Sequence, residues 1–460
     1  MDYARWIWLI LYGTLVVSTM VTVLMDNRQP AKTLAWLLVL TFLPIVGLLL
    51  YVFFGHNHRK KQRIYHRRLP GTLTLTPIRA EQLPAHHSEL AQQFANQGKS
   101  MPYPTGNIEI YTSGYAFFPA LMEAFSKARH SIVLSTYIID DDPLGRLIAD
   151  TLADQAARGI DVRLLYDDVG CWKVRNKFFK SMSRRGIHVE AFMPVHFPAL
   201  TGKINYRNHR KLCVIDGETA FVGGMNIAKR YVKTWRDTHM RVSGPIAKAI
   251  EAVIAAPQDE DVLKHIDTTL PRPLPQGALT QFVTSSPLSP WQDIMQGYVR
   301  ILLEAKHYVY MESPYFMPTE PIIVAMRSAV LAGIDVRLMV PRHSDAILVE
   351  WASTSYLAQA IEAGVQVYFY QDGFNHSKLL VSDDTLCTCG STNIDFRSFE
   401  NNFEANLFFY DSETAMRMKQ VFLDDMQHCT LANEHVSRHP GRPFGRRLWE
   451  SITRLLSPLL

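Results

Sequence analysis

Residues Gly159-Ile160-Asp161-Val162-Arg163 return letter for letter as Gly333-Ile334-Asp335-Val336-Arg337, 174 positions later. Two more matches follow the same order at nearly the same spacing. Ala128-Arg129-His130 answers to Ala305-Lys306-His307 at an offset of 177, and Gly186-Ile187-His188-Val189 to Gly364-Val365-Gln366-Val367 at 178. That period is far too long for a solenoid and is the size of a domain, so the body of the chain is expected to be one unit written twice. Within the first copy, Ser131 to Ser135 reads as a strand, Leu144 to Arg158 as an amphipathic helix, and Gly159 to Leu165 as a strand again. The β-α-β order predicts an α/β fold with a largely parallel sheet covered by helices. Proline-rich Leu270-Pro271-Arg272-Pro273-Leu274-Pro275 marks the join between the copies.

The chain begins in a different style. Trp6 to Met25 and Leu34 to Phe54 carry no charge, and each as a helix reaches about 30 Å, the hydrocarbon thickness of a bilayer. Asp26-Asn27-Arg28-Gln29-Pro30 lies between them as a polar turn. A second span at once, and no small-residue cleavage site, argue against a signal peptide and for a two-helix transmembrane hairpin. Trp6, Trp8, Tyr12, Trp36 and Tyr51 lie mostly near span ends, where amphipathic rings suit the interface. Arg59, Lys60, Lys61, Arg63, Arg67 and Arg68 follow the second span, against Arg28 and Lys32 between the spans. The positive-inside bias therefore puts both termini and the whole body in the cytoplasm, with the protein multi-pass in the cell membrane. Five cysteines, an odd number, argue against a disulfide framework and suit a reducing compartment. Cys387 and Cys389 have no partnering pair, and His56, His58 and His66 read as a solvated juxtamembrane stretch, so no metal site is expected. A net charge of +5 gives little support for a nucleic-acid groove.

The chemistry stands in both copies. Asn208-His209-Arg210-Lys211-Leu212-Cys213-Val214-Ile215-Asp216 and Asn375-His376-Ser377-Lys378-Leu379-Leu380-Val381-Ser382-Asp383 both fit H-x-K-x-x-x-x-D. Fourteen residues after each His comes Gly223 or Gly390, seventeen after comes Asn226 or Asn393, and twenty-eight after comes a carboxylate, Asp237 or Glu404. One such motif arises by chance; the whole set twice, at matching places in a duplicated unit, does not. His, Lys and Asn are also poor packing residues. His and Lys two apart share a face of an extended segment. Asp216-Gly217 and Asp383-Asp384 are turn pairs, after which a returning strand brings the Gly and Asn back beside the His-Lys edge. Two half-sites brought together suit a phosphodiester. The lysines and backbone amides neutralise the nonbridging oxygens, one imidazole attacks phosphorus, and the other carries the proton of the leaving and incoming hydroxyls. Asp237 and Glu404 are expected to orient the imidazoles through their other nitrogens. Lysine supplies the positive charge, so no metal or other cofactor is called for.

These residues resemble the double H-x-K-x-x-x-x-D signature of the phospholipase D superfamily, over about residues 105–432. The resemblance implies two similar phospholipase D-like α/β domains sharing one active site, a phosphohistidine intermediate, and a mainly supporting role for Asp216 and Asp383 beside the catalytic His209, Lys211, His376 and Lys378. The stretches Arg28 to Trp36, Leu43 to Gly47 and Tyr51 to Gly55, with Leu455 to Leu460 at the end, are similar to bacterial cardiolipin synthases. That likeness implies transfer between two phosphatidylglycerol molecules at a lipid bilayer, releasing glycerol and cardiolipin. Hydrolysis to phosphatidic acid, a phosphodiester nuclease and a non-catalytic lipid-binding scaffold are the alternatives. Copy two keeps the family's Gly390-Ser391, whereas copy one reads Gly223-Gly224, so only Ser391 is expected to offer the phosphate a hydroxyl. By analogy with the family, His209 is assigned as nucleophile and His376 as acid/base.

The expected organisation is a membrane hairpin over 1–55 (helices about 6–25 and 34–54), a basic linker over 56–104, halves over 105–275 and 276–432, and a tail over 433–460. Arg442, Arg446, Arg447 and Arg454 among Phe444, Leu448, Trp449, Ile452, Leu455 and Leu456 suggest a basic amphipathic tail helix, at an anionic membrane surface or docked on the domain. Copy one has eleven extra residues between its Gly186 strand and its motif, with Phe197, Pro198 and Leu200, which line the substrate entrance, touch the bilayer or form a surface loop.

Overall fold

The computed structural model describes residues 2–25, 30–54, 84, 86–98, 100–195, 206–257 and 278–432, with 445, 449, 453 and 454 of the tail. The basic stretch 59–68 with its histidines, the insertion at 197–200, the proline-rich join and most of the tail lie outside the described residues. The chain divides into two units, 1–71 with 195–206, and 72–194 with 207–460.

In the first unit, Asp2–Met25 is a single helix, of which Arg5–Met25 is long and apolar enough to cross a bilayer. The second apolar stretch is not one helix. It divides at Leu43 into Pro30–Phe42 and Pro44–Phe54. Pro44 has no N–H to give and its ring opposes the carbonyl one turn back. The Leu43 amide still reaches Val39 O at 2.9 Å, so the break is local. Val23, Leu40 and Tyr51 are buried among these helices, and Trp36 meets Tyr51 edge-on at 5.3 Å.

The second unit holds the duplicated body. One sheet runs in the order Glu109–Tyr111, His239–Ser243, Thr219–Gly223, Leu212–Ile215, Ser131–Thr136, Asp161–Asp167, His188–Phe192. The other repeats that order with Ala278–Ser285, Asn402–Phe409, Leu386–Gly390, Leu379–Ser382, Tyr308–Glu312, Asp335–Pro341 and Gln366–Tyr370. The sheets are mixed rather than largely parallel. Along the strand order just given, only the three strands joined by helical crossovers in each half pair in parallel. The motif strand returns through the tight turns at Asp216-Gly217 and Asp383-Asp384, and a tight turn imposes antiparallel pairing.

Part of the expected linker is folded. Helix Ser88–Gly98 packs Phe94 against Phe408, and Pro102–Thr105 adds an edge strand to the second sheet through Ala278–Ser285. The core has three layers of side chains. Leu212, Val214, Val222 and Met240 of the first sheet join Leu379, Val381, Ala405 and Leu407 of the second, with helices Ile246–Ala255 and Ser412–Met426 packed in the same cluster. The crossover helices cover the outer face of each sheet. Burying both faces explains why the motif strands read as continuous apolar runs. In the tail, Arg454 lies 4.7 Å over the Tyr356 ring and donates to Gln359 Oε1 at 3.0 Å, so this residue docks on helix Ile347–Glu362.

Candidate active site

Two short parallel bridges tie each half to the motif of the other. Arg207–Asn208 pairs with Asn402 and Phe403, and the His209 amide donates to Phe403 O at 3.0 Å. Glu404 comes next on that strand, and its carboxylate oxygens lie 3.0 and 3.1 Å from His209 Nδ1. Reciprocally, Phe374–Asn375 pairs with Trp235–Arg236, and the His376 amide donates to Arg236 O at 2.7 Å. Asp237 follows, with Oδ2 2.6 Å from His376 Nδ1. Each imidazole is therefore held by the carboxylate of the opposite half, and the site lies on the seam between the sheets. A carboxylate on Nδ1 selects the Nδ1–H tautomer and leaves the Nε2 lone pair for chemistry.

The lysines stand beside their own histidines. Lys211 Nζ donates to His209 O at 2.6 Å and lies 5.4 Å over the Tyr137 ring. Lys378 Nζ donates to His376 O and sits 2.8 Å from His376 Nδ1. All four groups are buried. Burial pushes Lys211 down to about 7 against the pull of Glu404, and Lys378 down to about 8 against Asp237. Burial also lowers His209 to about 4, with Glu404 opposing and Lys211 adding. His376 falls well below its ordinary value through burial and then Lys378. These surroundings favour two neutral imidazoles. The charge of a phosphodiester anion offsets part of the burial penalty and draws protons onto the lysines and one imidazole.

The two surroundings differ. Burial alone raises the Glu404 carboxyl, but His209, then Lys211 and the Ser391 hydroxyl, hold it below the usual range. Asn402 Nδ2 also donates to Glu404 Oε1 at 3.1 Å. Asp237 has the Thr238 amide at 2.7 Å, and burial leaves its carboxyl raised. His376 is ringed by Trp235 at 5.0 Å, Tyr231 at 5.6 Å, Phe374 at 5.8 Å and Tyr315 at 6.2 Å between ring centroids.

The remaining expected residues stand as follows in the structure. The Ser391 hydroxyl donates to Glu404 Oε2 and accepts from Ala405 N at 3.0 Å. The Gly223 and Gly390 amides point into their hairpins, toward Lys211 O and Lys378 O at 3.4 Å. A Cβ at Gly223 would meet His239 Cα at 2.5 Å, and one at Gly390 would meet Ala405 O at 2.2 Å, so close strand approach is what excludes a side chain. Asn226 Oδ1 accepts from Ile138 N at 3.1 Å and its Nδ2 donates to the Tyr231 hydroxyl at 2.6 Å, which fixes the chain beside Tyr137 and the ring beside His376. Among the described residues the buried Oδ1 of Asn393 has no hydrogen-bond partner, and its backbone N–H donates to Ser398 Oγ at 3.3 Å. Asp216 and Asp383 lie five residues beyond the lysines, about 16 Å along an extended chain. Asp216 accepts from the amides of Arg129, His130 and Ser131, and Asp383 from those of Lys306, His307 and Tyr308, all at 2.7 to 3.2 Å. Both adopt positive φ in their turns and pin the first strand of each half, away from the histidines.

An aromatic wall lines the site beyond the motif residues. Tyr137 lies 4.9 Å from His209, and Tyr315 takes the matching place by His376. Their offset of 178 is that of the Gly186 and Gly364 pair, so the repeat carried the signal. Tyr231 and Trp235 align instead with Ser398 and Asn402 at the motif offset of 167, and the repeat gives no hint of them.

The family profile described as "Cardiolipin synthase, PLD-like domain" matches residues 121–256 and 298–426, once in each half. The chain belongs to the phospholipase D-like cardiolipin synthase family. The major cardiolipin synthase ClsA of Bacillus subtilis is 34% identical over 469 aligned residues, covering 97% of either chain. A cardiolipin synthase of Geobacillus kaustophilus is 35% identical over 98% of this chain and 93% of its own. A further profile, for the phospholipase D-nuclease N-terminal segment, matches residues 14–56, across the apolar helices. Among solved structures, a phosphatidylserine synthase of Haemophilus influenzae superposes with a TM-score of 0.63 at 15% identity, over 81% of this chain and all of its own, a likeness of fold. The two profile matches fall one on each of the duplicated sheets.

Proposed function

We propose that this member of the cardiolipin synthase family joins two phosphatidylglycerol molecules through a phosphatidyl-histidine, with His209 as nucleophile and His376 as acid and base. Family membership makes the chain a phosphatidyltransferase of the phospholipase D type. The observation that carries the residue roles is the crossed pair His209–Glu404 and His376–Asp237, with both lysines on the same seam. Positive charge develops on the attacking imidazole. Glu404, held ionised and braced by Ser391 and Asn402, favours that charge on His209. His376, among aromatic rings and beside the Lys378 ammonium, releases a proton readily once it holds one.

In the first step His209 Nε2 bonds to phosphorus while the phosphorus–glycerol oxygen bond breaks. His376 gives that oxygen its proton, and Lys211 and Lys378 neutralise the nonbridging oxygens. In the second step the terminal hydroxyl of another phosphatidylglycerol gives its proton to His376 and bonds to phosphorus, and the His209 N–P bond breaks. Cardiolipin and glycerol leave in equal amounts. The apolar stretches at about 6–25 and 34–54 form a two-span hairpin with the body and both termini cytoplasmic, and residues 105–275 and 276–432 are the two halves. No metal is called on in either step.

The test is labelled phosphatidylglycerol in vesicles with the full chain. Equimolar cardiolipin and glycerol is expected, abolished by His209→Ala and by His376→Ala. Phosphatidic acid in place of cardiolipin would assign hydrolysis instead. A single cysteine at Asn27 that reacts with an impermeant reagent only from outside the cell would support the topology.

A further inference from the structure

Beside the site, copy one carries a cleft that neither step above uses. Its volume is about 490 Å³, and three consecutive aspartates, Asp140 to Asp142, share its lining with basic side chains. The aspartates are already engaged. Asp140 pairs with Arg230 at 2.8 Å and Asp141 with Arg146 at 2.6 Å, while Asp142 accepts from the amides of Gly145 and Lys229. Lys173, Arg175, Lys177 and Lys229 line the same cleft, and among the described residues none of their side chains has a carboxylate partner. Six cations against three aspartates therefore leave the lining of the cleft with a net charge of about +3.

Its position is set by two short chains of contact. Asp140 follows Tyr137, the ring beside His209, by three residues. The Arg230 guanidinium lies 5.3 Å from the Trp235 ring, which lies 5.0 Å from the His376 ring. Arg230, on the wall of the cleft, therefore lies within roughly 10 Å of the His376 ring.

The product defines what must sit at such a distance. Cardiolipin joins two phosphodiesters through one glycerol, six bonds from phosphorus to phosphorus and roughly 7 Å when extended. As the second phosphatidylglycerol delivers its hydroxyl, its own phosphate must lie within that reach of the phosphorus on His209. Two anions are then brought close together in a site already holding one, which requires a second counter-charge. We infer that this cleft holds the phosphate of the acceptor phosphatidylglycerol. Its chemistry would recognise any phosphate anion, and the lipid is assigned as the source because only a phosphate tethered to the attacking hydroxyl has to be there. The cleft thereby favours a phospholipid acceptor over water or free glycerol, which carry no charge for it to hold. This inference rests on the transfer reaction proposed above.

The experiment uses the full chain in phosphatidylglycerol vesicles and a triple variant, Lys173→Gln, Arg175→Gln and Lys177→Gln. All three side chains are exposed and touch no proposed catalytic group. Two rates are read: cardiolipin formation at limiting phosphatidylglycerol, and exchange of labelled free glycerol into phosphatidylglycerol. Exchange uses the same histidines but an acceptor without phosphate. The variant is expected to lose about tenfold in cardiolipin formation while glycerol exchange stays within about twofold. A charge-conserving variant, Lys173→Arg, Arg175→Lys and Lys177→Arg, should keep both rates. Equal loss of both would make the cations a general membrane contact and overturn the assignment, as would no loss of either. Inorganic phosphate added to the wild type should leave both rates unchanged. Inhibition that spares glycerol exchange and vanishes in the Gln variant would give the cleft to free phosphate and overturn the lipid assignment. A wild type that exchanges glycerol yet makes no cardiolipin would overturn the transfer reading and this inference with it, whereas failures confined to the variant touch the cleft alone.

Discussion

Gly224 stands where copy two has Ser391, and restoring serine there is expected to damage the enzyme. A Cβ on Gly224 would lie 2.1 Å from Asp237 Oδ1 and 2.7 Å from its Cγ and Oδ2. Carbon and oxygen tolerate about 3.3 Å, so the carboxylate must retreat by about 1 Å. Asp237 Oδ2 now lies 2.6 Å from His376 Nδ1. A retreat of about 1 Å takes that pair outside hydrogen-bonding range. Loss of a buried hydrogen bond to a charged group costs about 1.5–3 kcal/mol, and each 1.4 kcal/mol is tenfold in rate. Gly224→Ser should therefore lower kcat for cardiolipin formation by about 10- to 100-fold. The overpacking also costs about 1–3 kcal/mol of stability, so thermal unfolding is followed alongside turnover. The two copies have solved one problem differently: a longer glutamate with a serine brace, or a shorter aspartate in the space a glycine leaves. A folded Gly224→Ser protein with turnover within about twofold of wild type would refute this account of Asp237.

Ser391→Ala removes the brace from Glu404 and leaves the Ala405 amide without its acceptor, and should cost about 5- to 10-fold in kcat with little change in KM. Because the pairing crosses, Glu404→Ala should be strongly non-additive with His209→Ala and nearly additive with His376→Ala, measured on the free energy of unfolding in a double-mutant cycle. The pH profile of kcat/KM in the free enzyme should fall below about 4, where His209 gains a proton, and on the alkaline side first as His376 loses its proton, well below its ordinary value, and again through about 7, where Lys211 loses its own. Lys211→Arg should remove the second of these falls. In stability the sign is set by the histidines, whose folded values lie below the unfolded one of about 6.5. Their contribution is whole above that pH and is lost as the pH falls toward 4, so Tm should drop across that window and drop less in His209→Asn. Asp216→Ala should lower stability by about 1–2 kcal/mol, its carboxylate being partly solvated, and leave turnover per folded molecule unchanged.

The contact between Lys378 and the Nδ1 of His376 bears on which histidine attacks. Nδ1 carries one hydrogen, and Asp237 is the acceptor that matches it, so the neighbouring ammonium acts there as a charge and not as a donor. That charge opposes a lasting positive imidazole at His376. The corresponding Lys211 is directed to the His209 carbonyl and the Tyr137 ring, and His209 carries no such contact. The two halves are therefore electrostatically unequal despite their common plan, and the inequality favours a covalent intermediate on His209.

The repeat of Gly159 to Arg163, the twin motifs and the apolar opening were legible because each depends on local order: strand alternation, helix period and fixed turn lengths. The strands beginning at Ser131 and Asp161 and the helix at Pro143 stand within two residues of where periodicity put them. The equal spacing from His209 to Asp237 and from His376 to Glu404 showed that each copy supplies one carboxylate. It held no information on which imidazole each would meet, since an offset along one chain is identical for pairing within a half and between halves. The bridges of Asn208 to Phe403 and Asn375 to Arg236 decided that, by laying each motif across the other half's strand. The same holds for Ser391, Gly223 and Asn226, whose polar groups are taken by neighbours up to 88 residues away. Composition and periodicity fix what a segment becomes, because those forces act over a few residues; partners across the seam are chosen only when two sheets bury their faces together and every enclosed donor must find an acceptor.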